Sequence, residues 1–205
     1  MLDWTDRTLI TQEDLRTASI GASLRISERA LVTPLAADLA RERHIRLERV
    51  PAAAMDDLRP RPKIAIGADH GGFEMKEALK GVLNELGFAY QDLGTHSTEP
   101  VDYPDFAHAV ALSVSRRSCD LGIMIDGAGI GSCMVANKVP GVRAAMCYDE
   151  ASARNSREHN GANVLTLGGK MISNEKMREV VRIWLSTGLT EERHRRRVAK
   201  IDALL

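Results

Sequence analysis

The sequence predicts an α/β protein in which five parallel strands form one sheet with helices on both faces, after a smaller N-terminal α+β module. The first observation is the regular alternation, from Lys63 onward, of short apolar runs with amphipathic segments of helical period. Such alternation favours a parallel sheet with right-handed crossovers. The second is a stretch rich in proline and small residues, 51–62, which interrupts periodic structure. We therefore divide the chain into a module at 1–50, a linker at 51–62 and a main domain at 63–205.

The N-terminal module contains alternating and helical patterns but no residues with catalytic spacing. Leu24–Ile26 alternates as a short strand does, and 44–50 alternates like a strand with one solvated face. Between them, Thr33 is the expected N-cap of a helix whose first position is Pro34, because proline fits the first helical turn. We therefore expect a strand, a helix and a second strand.

In the main domain the predicted strands and helices follow one another in turn. The strands are predicted at 64–67, 88–94, 121–125, 142–147 and 163–168, and the helices at 73–86, 105–115, 134–139, 150–158 and 174–186. Gly87 and Gly188 are expected to end the first and last of these helices. Ligands of such sheets bind beyond the carboxyl ends of the strands. We therefore expect the polar clusters to lie at those ends or in the C-terminal tail.

Composition and charge limit the classes of function. The chain has 28 basic and 28 acidic residues, and a formal net charge of zero argues against a nucleic-acid-binding protein. Three widely spaced cysteines without a CxxC pair argue against a disulfide framework or a zinc site and favour a reducing compartment. No signal-peptide pattern is found, and no apolar run approaches the ~20 residues that span a bilayer. We expect a cytoplasmic protein without membrane association.

One polar cluster directly follows the first predicted strand of the main domain. Asp69 and His70 stand there side by side, followed by two glycines. A carboxylate beside an imidazole can polarise and deprotonate sugar hydroxyls. A simple helix cap by Asp69 is the alternative interpretation.

A glycine-rich loop follows the third predicted strand, from Asp126 to Ser132. Its glycines are Gly127, Gly129 and Gly131. Main-chain N–H groups in such a loop can approach an anion or stabilise an enediolate. Because the dinucleotide-binding fingerprint follows the first strand of its domain, this position does not favour a nicotinamide or flavin site.

Two further clusters lie nearer the C-terminus. His159 and Asn160 stand at the end of a predicted helix, where an ordinary C-terminal helix cap is the alternative to catalysis. Arg193 and Arg197 fall on one helical face and can hold a phosphate group through forked hydrogen bonds. A solvated charged helix end is the alternative for that basic run.

Together these clusters resemble the ribose-5-phosphate isomerase B family, which includes the two galactose-6-phosphate isomerase subunits. The resemblance covers residues 63–201 and depends on the combination and order of the motifs. The matching segments are Ile64–Phe73, Asp92–His96, Val101–Pro104, Ala136–Arg143, Ser156–Asn160, Leu167–Gly169 and Arg193–Val198.

The resemblance implies a Rossmann-like three-layer sandwich that isomerises a sugar phosphate between aldose and ketose forms, with no metal and no cofactor. Ring opening is the implied role of His159, with Asp69 and His70 nearby. A base then moves a proton between C2 and C1 through a cis-enediolate. The implied substrate-binding residues are Gly127, Gly129, Gly131, Asn160, Tyr103, Lys138, Arg193 and Arg197.

The sequence departs from the family pattern in the glycine-rich loop. Asp126 stands where the family has a cysteine base, and Ser132 stands where another branch has a glutamate. We therefore expect Asp126 to be the base, since a carboxylate is ionised at neutral pH without activation. Ala128 replaces a threonine whose hydroxyl can help to bind the enediolate. Cys133 is out of register with the family cysteine and is expected to be a small core residue.

Three functional interpretations follow from this departure. The first is an active isomerase that uses Asp126, with ribose 5-phosphate as the family's usual substrate and a hexose 6-phosphate as the alternative. The second is an isomerase-fold subunit that needs a different partner chain. The third is a sugar-phosphate binding or scaffold protein without catalysis, which the retained acid–base residues disfavour.

The resemblance also implies partners. Members of the family are homodimers or homotetramers whose active site is shared between subunits. The segment Ala30–Ala40 is similar to a piece of some bacterial microcompartment enzymes, such as ethanolamine-utilisation proteins. We therefore expect residues 1–50 either to dock the enzyme to a microcompartment shell or partner enzyme, or to pack passively beside the main domain.

Overall fold

A computed structural model describes residues 2–5, 7–50 and 61–204 and divides the chain into two compact units, Met1–Pro60 and Arg61–Leu205. The predicted linker at 51–62 lies outside the described residues, apart from its last two positions. Each unit has its own buried apolar core.

The first unit consists of short parallel strands joined by two helices. In chain order its elements are β1 (Leu2–Trp4), β2 (Leu9–Ile10), α1 (Gln12–Arg16), β3 (Ser23–Ser27), β4 (Leu31–Val32), α2 (Pro34–Glu42) and β5 (Arg46–Val50). The order β1-β3-β5 forms one parallel sheet, and β2 pairs with β4. The predicted N-cap is confirmed, because the Thr33 side chain accepts a hydrogen bond from the amide of Ala36. The sequence patterns missed β1, β2, β4 and α1, which are too short to show a period.

The second unit is the predicted five-stranded α/β sandwich. Its elements are β6 (Ile64–Ala68), α3 (Phe73–Glu85), β7 (Tyr90–Asp92), α4 (Tyr103–Ser115), β8 (Leu121–Asp126), α5 (Ile130–Ala136), β9 (Ala144–Met146), α6 (Glu150–Glu158), β10 (Val164–Gly168), α7 (Asn174–Ser186) and α8 (Glu192–Asp202). The strand order is β7-β6-β8-β10-β9, and every pair is parallel. The fold predicted from alternation is confirmed.

Apolar side chains cover both faces of this sheet and make the three layers. On one face, α3, α6 and α7 contribute buried residues such as Leu79, Ala153 and Trp184. On the other, α4 and α5 contribute Val110 and Ala136. The central strands are buried on both faces and therefore read as continuous apolar runs.

The start of α5 differs from the prediction. The sequence placed the helix from Met134, whereas it begins at Ile130, directly after the left-handed Gly129. The glycines at positions 129 and 131 obscured the first turn of this helix in the sequence pattern. Amides of this turn donate hydrogen bonds to a carboxylate. Among the described residues, no helix has both the length and the apolar character needed to cross a membrane.

Candidate active site

Three loops meet at the carboxyl edge of the second sheet. Asp69 follows β6, Asp126 ends β8 and Gly169 follows β10, and these three strands are neighbours in the sheet. The Asp69 amide donates to the carbonyl of Ile125 at 3.2 Å, and the Gly169 amide donates to the carbonyl of Asp126 at 2.7 Å. Parallel pairing thus brings the two predicted carboxylates to one place. We call Asp69, His70, Asp126 and loop 127–131 the carboxyl-edge group.

The Asp126 side chain is buried, with 4% of the residue exposed, and accepts four hydrogen bonds. One oxygen, Oδ1, accepts from the amides of Ala128, at 2.8 Å, and of Gly129. The other, Oδ2, accepts from the amide of Ser132, at 3.0 Å, and from the Ser132 hydroxyl. Two carboxylate oxygens offer about four lone-pair sites, so the loop fills all of them.

These contacts change the expected role of the loop amides. The amides of the glycine-rich loop were expected to face a substrate oxyanion, with Gly129 among the named residues, but those of Ala128, Gly129 and Ser132 bind the loop's own carboxylate instead. The same carboxylate satisfies first-turn N–H groups of α5, which have no intrahelical partner. This explains why the helix starts at Ile130.

Asp69 has a different environment from its neighbour. Its residue is 7% exposed, and its Oδ1 accepts from the amide of Gly72 at 2.9 Å, just before α3. Burial raises the pKa of Asp69; the Gly72 hydrogen bond opposes this, and the charge of Asp126 adds to it. Two adjacent carboxyl groups in different environments can take different acid–base roles.

Glycine is required at two positions of the loop, and the structural reason differs between them. Gly129 has φ +80°, in the left-handed region, and a side chain there would meet the main chain of Leu167. Gly131 lies inside α5, where a Cβ atom would come within 2.5 Å of the Tyr103 ring. Tyr103, at the start of α4, therefore packs directly on the loop predicted to bind substrate.

A cleft of about 480 Å³ opens beside this group. His70 lines it, and its Nδ1 lies 3.2 Å from both main-chain polar atoms of Val101. Lys170 lines the same cleft, and its amide donates to the carbonyl of Gly127 at 3.1 Å. Lys170 was not among the site residues predicted from the sequence, although its position just after the fifth strand was the available signal.

Cys133 does not offer a substitute base. Its Sγ lies 3.4 Å from the carbonyl of Ala144, and the residue is half-buried. Burial raises the pKa of the Cys133 thiol, which keeps it protonated.

The third predicted cluster lies at the opposite edge of the sheet, which corrects the expectation that it would follow a strand's carboxyl end. His159 is the C-cap of α6, and Asn160 follows it. In a parallel sheet the crossover helices run against the strands, so the end of a helix meets the amino edge. Gly161, with φ +57°, then turns the chain towards β10.

The last helix, α8, joins the same edge. The ring of its His194 stacks on His159 with centroids 4.3 Å apart, and its Asp202 binds Arg143, which precedes β9, at 2.7 Å. Arg193 and Arg197 line a small basic hollow together with Arg196 and Lys200. Lys138 is exposed beyond the end of α5, also away from the carboxylates. We call His159, Asn160, Arg193 and Arg197 the amino-edge group.

The structure thus divides the predicted site residues into two groups that one chain does not bring together. Neither group contains a metal-binding arrangement, since the described residues include no cluster of three or more His, Cys, Asp and Glu side chains suited to an ion.

Comparison with known proteins places residues 64–201 within the Ribose/Galactose Isomerase family. The ribose-5-phosphate isomerase B of Escherichia coli is 42% identical over 142 residues, which cover 69% of this chain and 95% of that protein. The D-erythrulose-4-phosphate isomerase of Pectobacterium atrosepticum is 39% identical over 123 residues, covering 60% of this chain and 81% of that protein.

A solved structure agrees with the sequence relatives. The ribose-5-phosphate isomerase B of Clostridium thermocellum is 45% identical and superposes with a TM-score of 0.68. The match covers 69% of this chain and 96% of the Clostridium chain. The first unit lies outside the matched family segment.

Proposed function

Because this chain belongs to the ribose/galactose isomerase family, we propose that it interconverts ribose 5-phosphate and ribulose 5-phosphate in an active site shared by two copies of the chain. Its similarity to ribose-5-phosphate isomerases B at more than 40% identity supports the activity of a sugar-phosphate aldose–ketose isomerase. We propose the identity of the sugar, the sharing of the site between two copies, and the roles of the individual residues.

The division of the polar residues between two edges is the observation that supports a shared site. The carboxylates can transfer protons, but among the residues that the structure describes the adjacent cleft contributes one lysine, Lys170, and no cluster of cations. The amino-edge arginines can bind a phosphate. The carboxylate seen against them is that of Glu191, 2.5 Å from Nε of Arg193, and the described residues place no buried carboxylate pair there. In a symmetric dimer, the same two patches meet twice, so the amino edge of each copy can complete the carboxyl edge of the other.

The amino-edge group binds and opens the sugar. Arg193 and Arg197 hold the phosphate through charge-assisted hydrogen bonds. As the C1–O bond of the ring breaks, His159 gives its Nε2 proton to the ring oxygen and takes up the proton that the anomeric hydroxyl releases, which leaves the open-chain aldehyde and a neutral imidazole. Asn160 lies next to His159 and is proposed to contact the enediolate.

The carboxyl-edge group moves the carbon-bound proton. Asp126 takes the C2 proton, the electron pair forms the C1–C2 double bond, and the former aldehyde oxygen becomes the enediolate oxygen. Asp69, whose pKa is raised by burial, carries the O2 proton to O1. Asp126 then returns its proton to C1, which gives the ketose.

The base assignment sets a structural condition. All four acceptor positions of Asp126 are filled, so it must give up one hydrogen bond before it can take a proton. Three of the donors are main-chain amides. The fourth, the Ser132 hydroxyl, can rotate away without movement of the main chain, and we propose that it is the one released.

The test uses mixed dimers of two inactive variants. Asp126→Asn damages only the carboxyl edge, and His159→Ala damages only the amino edge. Co-expression with two different tags and tandem purification isolates dimers that contain one copy of each. Such a dimer has one intact site of two, so it should show about half of wild-type turnover of ribose 5-phosphate.

The controls separate the alternatives. Each variant alone should be nearly inactive, and mixed dimers of Asp126→Asn with Asp69→Asn should stay inactive because both changes affect the same edge. Inactive Asp126→Asn/His159→Ala dimers would show that each site lies within one chain. A wild-type chain inactive with pentose, tetrose and hexose phosphates would instead point to a missing partner chain.

We also propose that the first unit docks the enzyme to a microcompartment shell or a partner enzyme. Leu9 and Leu31, paired across β2 and β4, are 49% and 71% exposed, and Leu35 at the start of α2 is 63% exposed. Neighbouring exposed leucines on a small unit suit a protein-binding surface.

A further inference from the structure

We infer that Asn155 is a positioning residue that fixes the tautomer of His159, so that the ring proton is on Nε2. Asn155 lies on α6, one turn before His159, and touches no residue of the carboxyl-edge group. The inference rests on the proposed ring-opening role of His159 and adds the side chain that makes it a proton donor.

One atom in this hydrogen-bond network has a fixed role. The carbonyl oxygen of Asn155 can only accept, and the Asn160 side-chain nitrogen lies 3.4 Å from it. The Asn160 group at this position is therefore the NH₂, which only donates. The same nitrogen lies 3.3 Å from Oδ1 of the Asn155 side chain. Asn155 therefore turns its oxygen towards Asn160.

The other half of the Asn155 amide then faces His159. Its Nδ2 lies 3.2 Å from Nδ1 of the imidazole. Because an amide NH₂ donates, Nδ1 must accept, and a neutral imidazole that accepts at Nδ1 carries its proton on Nε2. The chain of donors runs from Asn160 through Asn155 to His159.

His194 holds the ring in this orientation. Its ring lies 4.3 Å from that of His159 with only 9° between the two planes, and His194 is 2% exposed. Neither of its nitrogens has a hydrogen-bond partner among the described residues, although the Glu191 carboxylate lies 3.7 Å from Nε2. A half-turn of the His159 ring would replace Nδ1 by a carbon at Asn155 and break the hydrogen bond.

The tautomer decides what His159 can do. Protonation of a ring oxygen requires an N–H group directed at the sugar. With its proton on Nδ1, the imidazole would present a bare Nε2 that accepts instead. Asn155 thus acts on the ring-opening step and not on the transfer of the carbon-bound proton.

The tautomer can be measured without any activity assay. Long-range ¹H–¹⁵N spectra of the ¹⁵N-labelled full chain distinguish protonated from bare imidazole nitrogens, and His159→Gln identifies the His159 signals. We expect Nε2 protonated and Nδ1 bare in the wild type. In Asn155→Asp the donor becomes an acceptor, so the proton should move to Nδ1. Asn84→Asp, an exposed site on α3, is the matched control and should change nothing.

Two reactions then connect the tautomer to catalysis. Asn155→Asp and Asn155→Leu should lower turnover of cyclic ribose 5-phosphate by about 10²-fold and tenfold, respectively, since general acid catalysis contributes factors of this size. Exchange of the C1 proton of ribulose 5-phosphate with solvent needs no ring opening, because that ketose is open-chain. Exchange should persist in both variants and be lost in Asp126→Asn.

Two results would overturn the inference. One is a wild-type His159 with its proton on Nδ1, and the other is an Asn155→Asp spectrum identical to the wild type. Absence of C1 exchange in the wild type would instead refute the proposed function, while the tautomer measurement would still stand.

Discussion

Asp126 and Asp69 are the same residue type at the carboxyl ends of neighbouring strands, but their side chains have different hydrogen-bond partners. Asp126 accepts four hydrogen bonds from its own loop. Asp69 accepts a hydrogen bond from the amide of Gly72 and is otherwise buried. Asp126, the residue that we propose as the base, is therefore also the residue that organises its loop. A single substitution at position 126 tests both roles at once, and a second variant is needed to separate them.

We predict that Asp126→Asn lowers kcat with ribose 5-phosphate by about 10²-fold or more and leaves KM similar, because the lost interaction acts in the transition state. Steady-state kinetics check this, with Asp105→Asn, an exposed carboxylate on α4, as the control. Ser132→Ala separates the roles, since it removes the rotatable donor and keeps the carboxylate. A kcat equal to or above wild type supports Asp126 as the base. If Ser132→Ala loses as much kcat as Asp126→Asn does, Asp126 only caps the loop and is not the base.

At the scale of elements, a buried ionic network fixes the end of β7 against β6. Lys76 on α3 has no exposed surface, and its Nζ lies 2.6 Å from Oδ2 of Asp92. Asp92 in turn accepts from the amide of Gly94 at 3.0 Å. The carbonyl of Gly94 then accepts from the amide of Ala68, the residue before Asp69. The network therefore positions Asp69, a carboxyl group that we propose to be catalytic, without touching it.

The charge of Asp92 gives this network a pH dependence. Burial by itself would raise the pKa of Asp92, but hydrogen bonds from Lys76 and Lys80 outweigh it and hold the pKa at about 2. A lowered pKa stabilises the fold above the ordinary value of 3.8, and this stabilisation is lost as the pH falls towards 2.

We predict that Asp92→Asn lowers the free energy of unfolding by about 2 kcal/mol at pH 7 and that this difference shrinks steadily below pH 4. Urea unfolding of both proteins between pH 7 and pH 2.5, within the range where the wild type folds, measures it. Glu85→Gln, which breaks the exposed pair with Arg178, is the control and should cost less than about 1 kcal/mol. A difference that stays constant with pH would contradict the ionic explanation.

At the scale of the whole molecule, the two units have separate cores, and the family match lies within the second unit. The family match covers residues 64–201, which lie within the second unit, and the Escherichia coli isomerase is matched over 95% of its length. The second unit therefore corresponds to the isomerase domain of the family. The exposed leucines of the first unit suggest assembly or location as its contribution.

We predict that deletion of residues 1–60 leaves kcat and KM for ribose 5-phosphate within about twofold of the full chain, because no residue of either site group is removed. Kinetics and circular dichroism on the truncated protein check this. The full chain carrying Leu31→Glu and Leu35→Glu should keep its activity but lose co-localisation with its partner in cells. A folded but inactive truncation would refute the idea of a separate docking unit.

The sequence by itself determined the elements and their order. Apolar runs and helical periods are local properties, so five strands, the long helices and the N-cap at Thr33 could be predicted without any contact information. The rule that ligands bind at carboxyl ends also placed Asp69, His70 and Asp126 together. The predicted start of α5 was wrong because the acceptor for its first-turn amides is a side chain, the carboxylate of Asp126, which no period reveals.

Only the tertiary structure decided how the site is divided and how its side chains are used. The distance of His159 from the carboxylates depends on the sheet edge at which α6 ends and on where α8 packs. The packing of α8 includes the stacking of His194 on His159, a contact between residues far apart in sequence. The orientation of the Asn155 amide and the filled oxygens of Asp126 depend on atoms a few ångströms apart in space. The sequence identifies these side chains but does not show which way their donor and acceptor atoms point. The proposed chemistry depends on both.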